Sequence, residues 1–248
     1  MAQERIGDAG AVLLGPLAVE PALQGIGIGR AAIESVPDLN WVAISQAALP
    51  PILAGRFIVH GSHDRARVGL RPLAIEIEAG EAFGTGHNAT TSGCLEAIDA
   101  LTRRRRFARA LDLGCGTGVL AIAAARALPH ARVIASDNDP LATQIARANM
   151  RLNRVAGRVR VIAASGFAHR LLRRAQSFDL VLANILPRPL IALAPAIRTA
   201  LRPGGVAVLS GLLNPQAPQV TASYRAAGFR LLAARRHAGW TVLVLERR

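Results

Sequence analysis

Lysine is absent from this chain of 248 residues: all 30 basic residues are arginine, set against 16 acids, for a formal net charge of +14. Replacement this complete, in a chain rich in alanine, reflects a compositional bias more than selection at each site. Aromatic residues are nearly as scarce, at 4% with a single tyrosine. Few of them interleave the arginines, so a platform for stacking single-stranded bases is not supported. Only two cysteines occur, Cys94 and Cys115, at neither metal-ligand nor redox spacing, which excludes a disulfide scaffold. Cys115 reads as a small residue inside a turn and not as a nucleophile. No uncharged apolar run approaches the ~18 residues of a membrane span. Glu4 and Asp8 precede the apolar stretch Ala11 to Val19, and no clear cleavage site follows, so no secretory signal is expected. A soluble, cytoplasmic protein with no membrane partner is the expectation. No second histidine or carboxylate stands at metal spacing from His87, and no metal is assigned.

What the chain does have is a glycine-rich turn between a strand and a helix. Ala110-Leu-Asp-Leu113 reads as a short buried strand, Gly114, Gly116 and Gly118 as a tight turn, and Val119-Leu-Ala-Ile-Ala-Ala as a helix opening. Glycine adopts positive φ and lets a ligand approach without a Cβ in the way. Twenty-three residues after Gly114, the strand Arg132-Val-Ile-Ala-Ser ends in Asp137. A carboxylate there is placed to accept hydrogen bonds from two ribose hydroxyls. The spacing is G-x-G-x-G, not the G-x-G-x-x-G that turns a helix N-terminus toward a pyrophosphate. With Asp112 preceding it in the strand, the turn suits a nucleoside cofactor with an amino-acid tail and no phosphate, such as S-adenosyl-L-methionine.

From Ala108 onward strand and helix alternate, as a parallel α/β sheet requires. Strands are expected over 109–113, 132–136, 158–163, 178–183 and 205–210, with helices at about 119–128, 140–153 and 189–201. Asp139 caps the helix that Pro140 opens, and Pro203-Gly204-Gly205 is expected to break the chain before the fifth strand. After a helix at about 215–227, Phe229 to Arg236 and Trp240 to Glu246 form two strands joined by His237-Ala-Gly239, a turn short enough to make them antiparallel. The fold class is therefore α/β: a Rossmann-like, class I methyltransferase sheet of seven strands with an antiparallel terminal hairpin. Residues 1–37 read as a short arm or the remnant of a recognition domain. Residues 38–80 read as an extension packed on the main domain, with a helix around Val42 to Leu49 and strands at Arg56–His60 and Leu73–Glu78. Residues 81–248 are the cofactor-binding domain.

Two further stretches carry chemistry. Phe83-Gly-Thr-Gly-His-Asn-Ala-Thr-Thr91 is a hydroxyl-rich loop expected to close over the cofactor, with Thr90 or Thr91 capping a helix from Ser92 to Leu101. Asp179-Leu-Val-Leu-Ala-Asn-Ile-Leu-Pro187 ends the fourth strand, where Asn184 would meet an acceptor nucleophile. Its side-chain carbonyl can accept a hydrogen bond from an amine and aim the nitrogen lone pair. Arginine clusters at Arg103–Arg106 with Arg109, and at Arg170, Arg173 and Arg174, are solvated faces or contacts to a ribosome or rRNA.

Taken together, AFGTGHNATTSGCLEAID, LDLGCGTGVLAIAAA, SDNDPLATQIARANMRLN, DLVLANILPRPLIALAPAI and LRPGGVAVLSGLL resemble the ribosomal protein L11 methyltransferase family over residues 38–248. The resemblance implies S-adenosyl-L-methionine-dependent methylation of lysine and N-terminal amines on a large-subunit ribosomal protein. It places cofactor contacts on Thr91, Gly114, Asp137 and Asn184, beside Gly116 from the turn. The family's loop usually reads FGTGTHPTT, whereas His87, Asn88 and Ala89 stand in its middle here. Three other readings stay open. A lysine methyltransferase of another protein, such as the electron-transfer flavoprotein β subunit, is disfavoured by the FGTG loop and the Asn-Ile-Leu strand end. An RNA methyltransferase lacks its stacking aromatic at Ile185-Leu186. A non-catalytic cofactor-binding module would share the pocket alone.

Overall fold

Period-two alternation with apolar residues on both faces organises the large sheet. In the strand Phe178–Asn184, Leu180 and Leu182 point into one hydrophobic core, while Val181 and Ala183 point into the other. Val206 and Val208 against Ala207 and Leu209, and Val242 and Val244 against Leu243 and Leu245, repeat the division. A strand buried on both faces needs helices above and below it, and the sequence supplies them.

A computed structural model describes residues 50–77, 88–173 and 178–248 of the chain. Residues 1–37, the helix expected at Val42–Leu49, the loop Phe83–His87 and Arg174 lie outside the described residues. Three short strands, β1 (Ile52–Ala54), β2 (Phe57–His60) and β3 (Ala74–Glu76), form a small sheet, with β1 antiparallel and β3 parallel to β2. The helices are α1 (Arg65–Val68), α2 (Asn88–Thr102), α3 (Val119–Ala127), α4 (Pro140–Leu152), α5 (Pro187–Ala200) and α6 (Ala217–Ala226). The large sheet contains β4 (Arg109–Leu113), β5 (Arg132–Asp137), β6 (Val159–Ala163), β7 (Phe178–Asn184), β8 (Leu201–Leu213), β9 (Phe229–His237) and β10 (Trp240–Arg247), in the order β6-β5-β4-β7-β8-β10-β9. Strands β4 to β8 run parallel, and β10 is antiparallel to both β8 and β9. The seven-stranded sheet and its terminal hairpin are those read from the sequence.

One core holds α2, α3 and the small sheet. Helix α3 is buried from Val119 through Ala125, as befits a helix apolar all round. It shares its core with Phe57, Val59, Ile75 and Ile77. The link to the small sheet is also polar: Asn153, at the end of α4, donates to the Glu76 carbonyl (2.6 Å) and accepts from the Glu76 N–H (2.9 Å). The second core lies under α5 and α6, where the Tyr224 hydroxyl donates to the Leu190 carbonyl and its ring meets Phe229 edge-on.

Two local expectations are corrected. Helix α2 begins at Asn88 and not at Ser92, so Thr90 and Thr91 are helical residues and neither caps the helix. Alanine at position 89 is the strongest helix former, and it carries the helix upstream. Pro203-Gly204-Gly205 does not break the chain before the fifth strand. Phe178 pairs with Leu201 and Leu180 with Val206, so the extra residues bulge out of a continuous strand with Gly204 at positive φ.

Candidate active site

The glycine turn sits where β4 leaves the middle of the sheet. Gly114, Gly116 and Gly118 have φ of 72°, 51° and 82°, a conformation closed to most side chains. The turn is pinned on both sides. Gly114 and Cys115 donate to the Ser136 carbonyl (2.7 and 3.0 Å), and Asn149 of α4 donates to the Thr117 carbonyl (3.0 Å). A Cβ on Gly116 would meet nothing within 4 Å, so this part of the turn faces open space.

Asp137 at the end of β5 spans the gap to the turn. One carboxylate oxygen accepts from the Gly116 N–H (2.8 Å) and the other from the Asp139 N–H (3.0 Å). Each oxygen keeps a second lone pair, and the residue lines a cavity of about 580 Å³ at the carboxyl ends of the strands. Gly114, Ser165, Asn184, Ile185, Leu186 and Trp240 line the same cavity. That volume lies within the usual range for small-molecule sites.

Asn184 ends β7 on the opposite wall. Its amide nitrogen donates to the Thr90 hydroxyl (3.3 Å), while its carbonyl oxygen is buried without a hydrogen-bond partner among the described residues. A buried acceptor left unpaired costs roughly 1–3 kcal/mol, a cost a ligand that donates to it would remove. The structure therefore brings Gly114, Asp137 and Asn184 to one cavity, with Gly116 held against Asp137. Thr91 is half-buried in α2 and is not among the residues lining that cavity. Its neighbour Thr90 is the one that holds Asn184, a consequence of the early helix start.

Asp112 is the second unpaired acceptor. It is 1% exposed. One oxygen accepts from the Ala121 N–H in the first turn of α3 (2.9 Å), and the other has no partner among the described residues. Burial pushes its carboxyl up to about 7, and the nearby Asp137 charge pushes the same way. The unfolded carboxyl ionises near 3.9, so the fold favours the protonated form. Stability is then lost as pH rises from about 4 to 7, by an amount on the order of 4 kcal/mol. The acids held low by arginine act in the opposite sense and only in the acid range: Glu76 through its bond to Arg65, and Glu246 through its bond to Arg230. Thermal melts of the unliganded protein between pH 5 and 8 should show a melting temperature that falls with pH. Asp112→Asn should flatten that fall, and an unchanged slope would contradict the assignment. Burial also raises both thiols, Cys94 to about 12 and Cys115 further, so neither is a nucleophile at neutral pH. Among the described residues no cluster of three or more His, Cys, Asp or Glu is placed to hold a metal ion, and no helix is long and apolar enough to cross a membrane.

The sequence reading missed Gly211 and Trp240. Gly211, at φ 84°, lies so close to the backbone of Ile185 that any Cβ would overlap it. Gly211 directly follows the strand expected over 205–210, and β8 continues through it to Leu213. Trp240 opens the last strand, and nothing local marks it as a cavity residue.

Comparison with known proteins gives a consistent result. Residues 18–248 match the family model described as ribosomal protein L11 methyltransferase (PrmA), so the match begins well upstream of residue 38. The chain is 49% identical over 221 residues to the ribosomal protein L11 methyltransferase of Chelativorans sp. (strain BNC1), covering 89% of this chain and 76% of that protein. It is 53% identical over 216 residues to that of Bradyrhizobium diazoefficiens, covering 87% and 73%. The crystal structure of ribosomal protein L11 methylase from Lactobacillus delbrueckii subsp. bulgaricus has the same fold. It superposes with a TM-score of 0.68 at 24% identity, over 81% of this chain and 98% of that one. With nearly its whole length matched and about half its residues identical to these relatives, the chain belongs to the ribosomal protein L11 methyltransferase family.

Proposed function

We propose that the chain is a cytoplasmic S-adenosyl-L-methionine-dependent protein methyltransferase whose substrate is ribosomal protein L11, modified on lysine and N-terminal amines. The substrate is the one in the names of its relatives. The observation that carries the chemistry is the convergence of Asp137 and Asn184, from two strand ends, on one cavity beneath the glycine turn.

The residues fit this cofactor. Asp137 offers a free lone pair on each oxygen to a ribose diol. Gly116 leaves open the space beside it. Bound there, S-adenosyl-L-methionine supplies a sulfonium-activated methyl group. Asn184 would accept a hydrogen bond from the incoming amine through its unpaired carbonyl oxygen and so direct the nitrogen lone pair. Thr90 holds the Asn184 amide in that orientation. Positioning of this kind supplies roughly 7–11 kcal/mol of barrier reduction in well-oriented reactions.

The amine must lose a proton first. At pH 7 this costs about 4.6 kcal/mol for a lysine and about 1 kcal/mol for an α-amine, from their reference pKa values. Ile185, Leu186, Leu193 and Trp240 line the cavity, and such apolar walls disfavour the ammonium form. Asp137 is the one titratable side chain among the described lining residues, and it is committed to the ribose. Among the described lining residues no other side chain is placed to take the proton. The test is to incubate the protein with purified L11 and S-adenosyl-L-methionine and to measure the intact mass of L11. Mass increments of whole methyl groups on L11 are expected; an unchanged L11 mass would overturn the assignment.

A further inference from the structure

The end of the large sheet opposite the cavity is lined with arginine. Strands β4, β5 and β8 begin at or beside Arg109, Arg132 and Arg202, β9 begins beside Arg230, and β10 ends at Arg247 and Arg248. Register places these side by side: Arg109 pairs with Arg132, and Glu246 with Arg230. With neighbouring strands ~4.8 Å apart, this rim extends for roughly 25–30 Å. Arg225, Arg230 and Arg248 close one end of it around a cavity of about 380 Å³.

A compositional preference for arginine explains which basic residue is used, not where the charges collect. Arginines in the last turns of helices, such as Arg198 and Arg225, favour the helix dipole. Those at strand starts gain nothing from it. Arg109 directly opposite Arg132 is a like-charge pair, which destabilises a sheet unless something neutralises it. The rim's acids are already committed. Asp179 accepts from the Ala108 and Arg109 backbone and pairs with Arg202, and Glu246 pairs with Arg105 and Arg230. Arg104, Arg106, Arg132, Arg225 and Arg248 are exposed and have no ion-pair partner among the described residues. Asp137 and Asp139 stand at the opposite, cavity end of the sheet.

We propose that this arginine rim binds double-helical RNA through its phosphates, independently of the methyl-transfer site. The rim's aromatic residues argue for phosphates over bases. Phe107, Phe178 and Phe229 are all buried, and the first two rings are covered by Arg105 and Arg109. Among the described residues of the rim no ring is left on which an unpaired base could stack, whereas planar guanidinium groups suit phosphate oxygens. Strands of five to seven residues separate the rim from the cavity by roughly 17–23 Å. RNA held on one end would leave the other open to a protein substrate.

The test measures binding of the full chain to a fluorescently labelled RNA hairpin of arbitrary stem sequence, across a series of KCl concentrations. Binding should weaken linearly with salt on a log–log plot, as counterion release requires. The combined variant Arg106→Ser, Arg132→Ser, Arg248→Ser should bind at least about tenfold more weakly and lower the salt slope by about two to three. Its melting temperature should stay within a few degrees of the parent, which shows that it folds. Arg188→Ser, at the cavity end, should leave affinity within about twofold. No RNA binding at low salt, native affinity in the triple variant, an equal loss with Arg188→Ser, or equal competition by polyglutamate would each overturn the proposal.

Discussion

Asp137→Ala is expected to weaken binding of S-adenosylhomocysteine by a factor of about 10² to 10⁴. Hydrogen bonds to a charged acceptor contribute roughly 1.5–3 kcal/mol each, and the proposal gives two of them to the ribose hydroxyls. The substitution also frees the Gly116 N–H that Asp137 now holds at 2.8 Å, so the turn loses its anchor as well as its ligand contact. Asp137→Asn separates the two effects, because it keeps the shape and one acceptor while removing the charge. Isothermal titration of the three proteins should rank them parent, asparagine, alanine. An alanine variant within threefold of the parent would remove the ribose-acceptor argument.

Asn184→Ala should behave differently. Its carbonyl oxygen has no partner among the described residues, and the proposed mechanism uses that oxygen to orient the amine. Turnover should fall by about 10² to 10³, the scale seen when one oriented hydrogen-bonding group is removed from a reacting centre. Affinity for S-adenosylhomocysteine should move by no more than a few-fold. Single-turnover kinetics paired with titration reads both quantities on one preparation. Equal losses in the two would make Asn184 a cofactor contact and nothing more.

The residues differ in how far they were legible in the sequence. Strands β4 to β7 and their helices could be read because their signals are local. Leu180 to Ala183 are apolar on both faces, and Asp139 caps α4 through the Leu141 N–H just before Pro140. Asp137 and Asn184 could be placed because strand order fixes where strand ends lie. What escaped depends on contacts between residues distant in the chain. Thr90 meets Asn184 across 94 positions, and Asn153 meets Glu76 across 77. Neither separation leaves a local pattern. Threonine pairs are common helix caps, but Ala89 favours the helix and α2 starts upstream of Thr90 and Thr91. Pro-Gly-Gly more often ends a strand than interrupts one, so the β8 bulge has no local signature. At Gly211 the sequence shows a glycine, but only the fold shows the Ile185 backbone that excludes a side chain there.

The most direct test is a crystal structure of the chain soaked with S-adenosylhomocysteine. Both ribose hydroxyls should lie within about 3 Å of the Asp137 carboxylate, with the sulfur turned toward Asn184. A nucleoside seated elsewhere, or one in the cavity whose ribose points away from Asp137, would contradict the account.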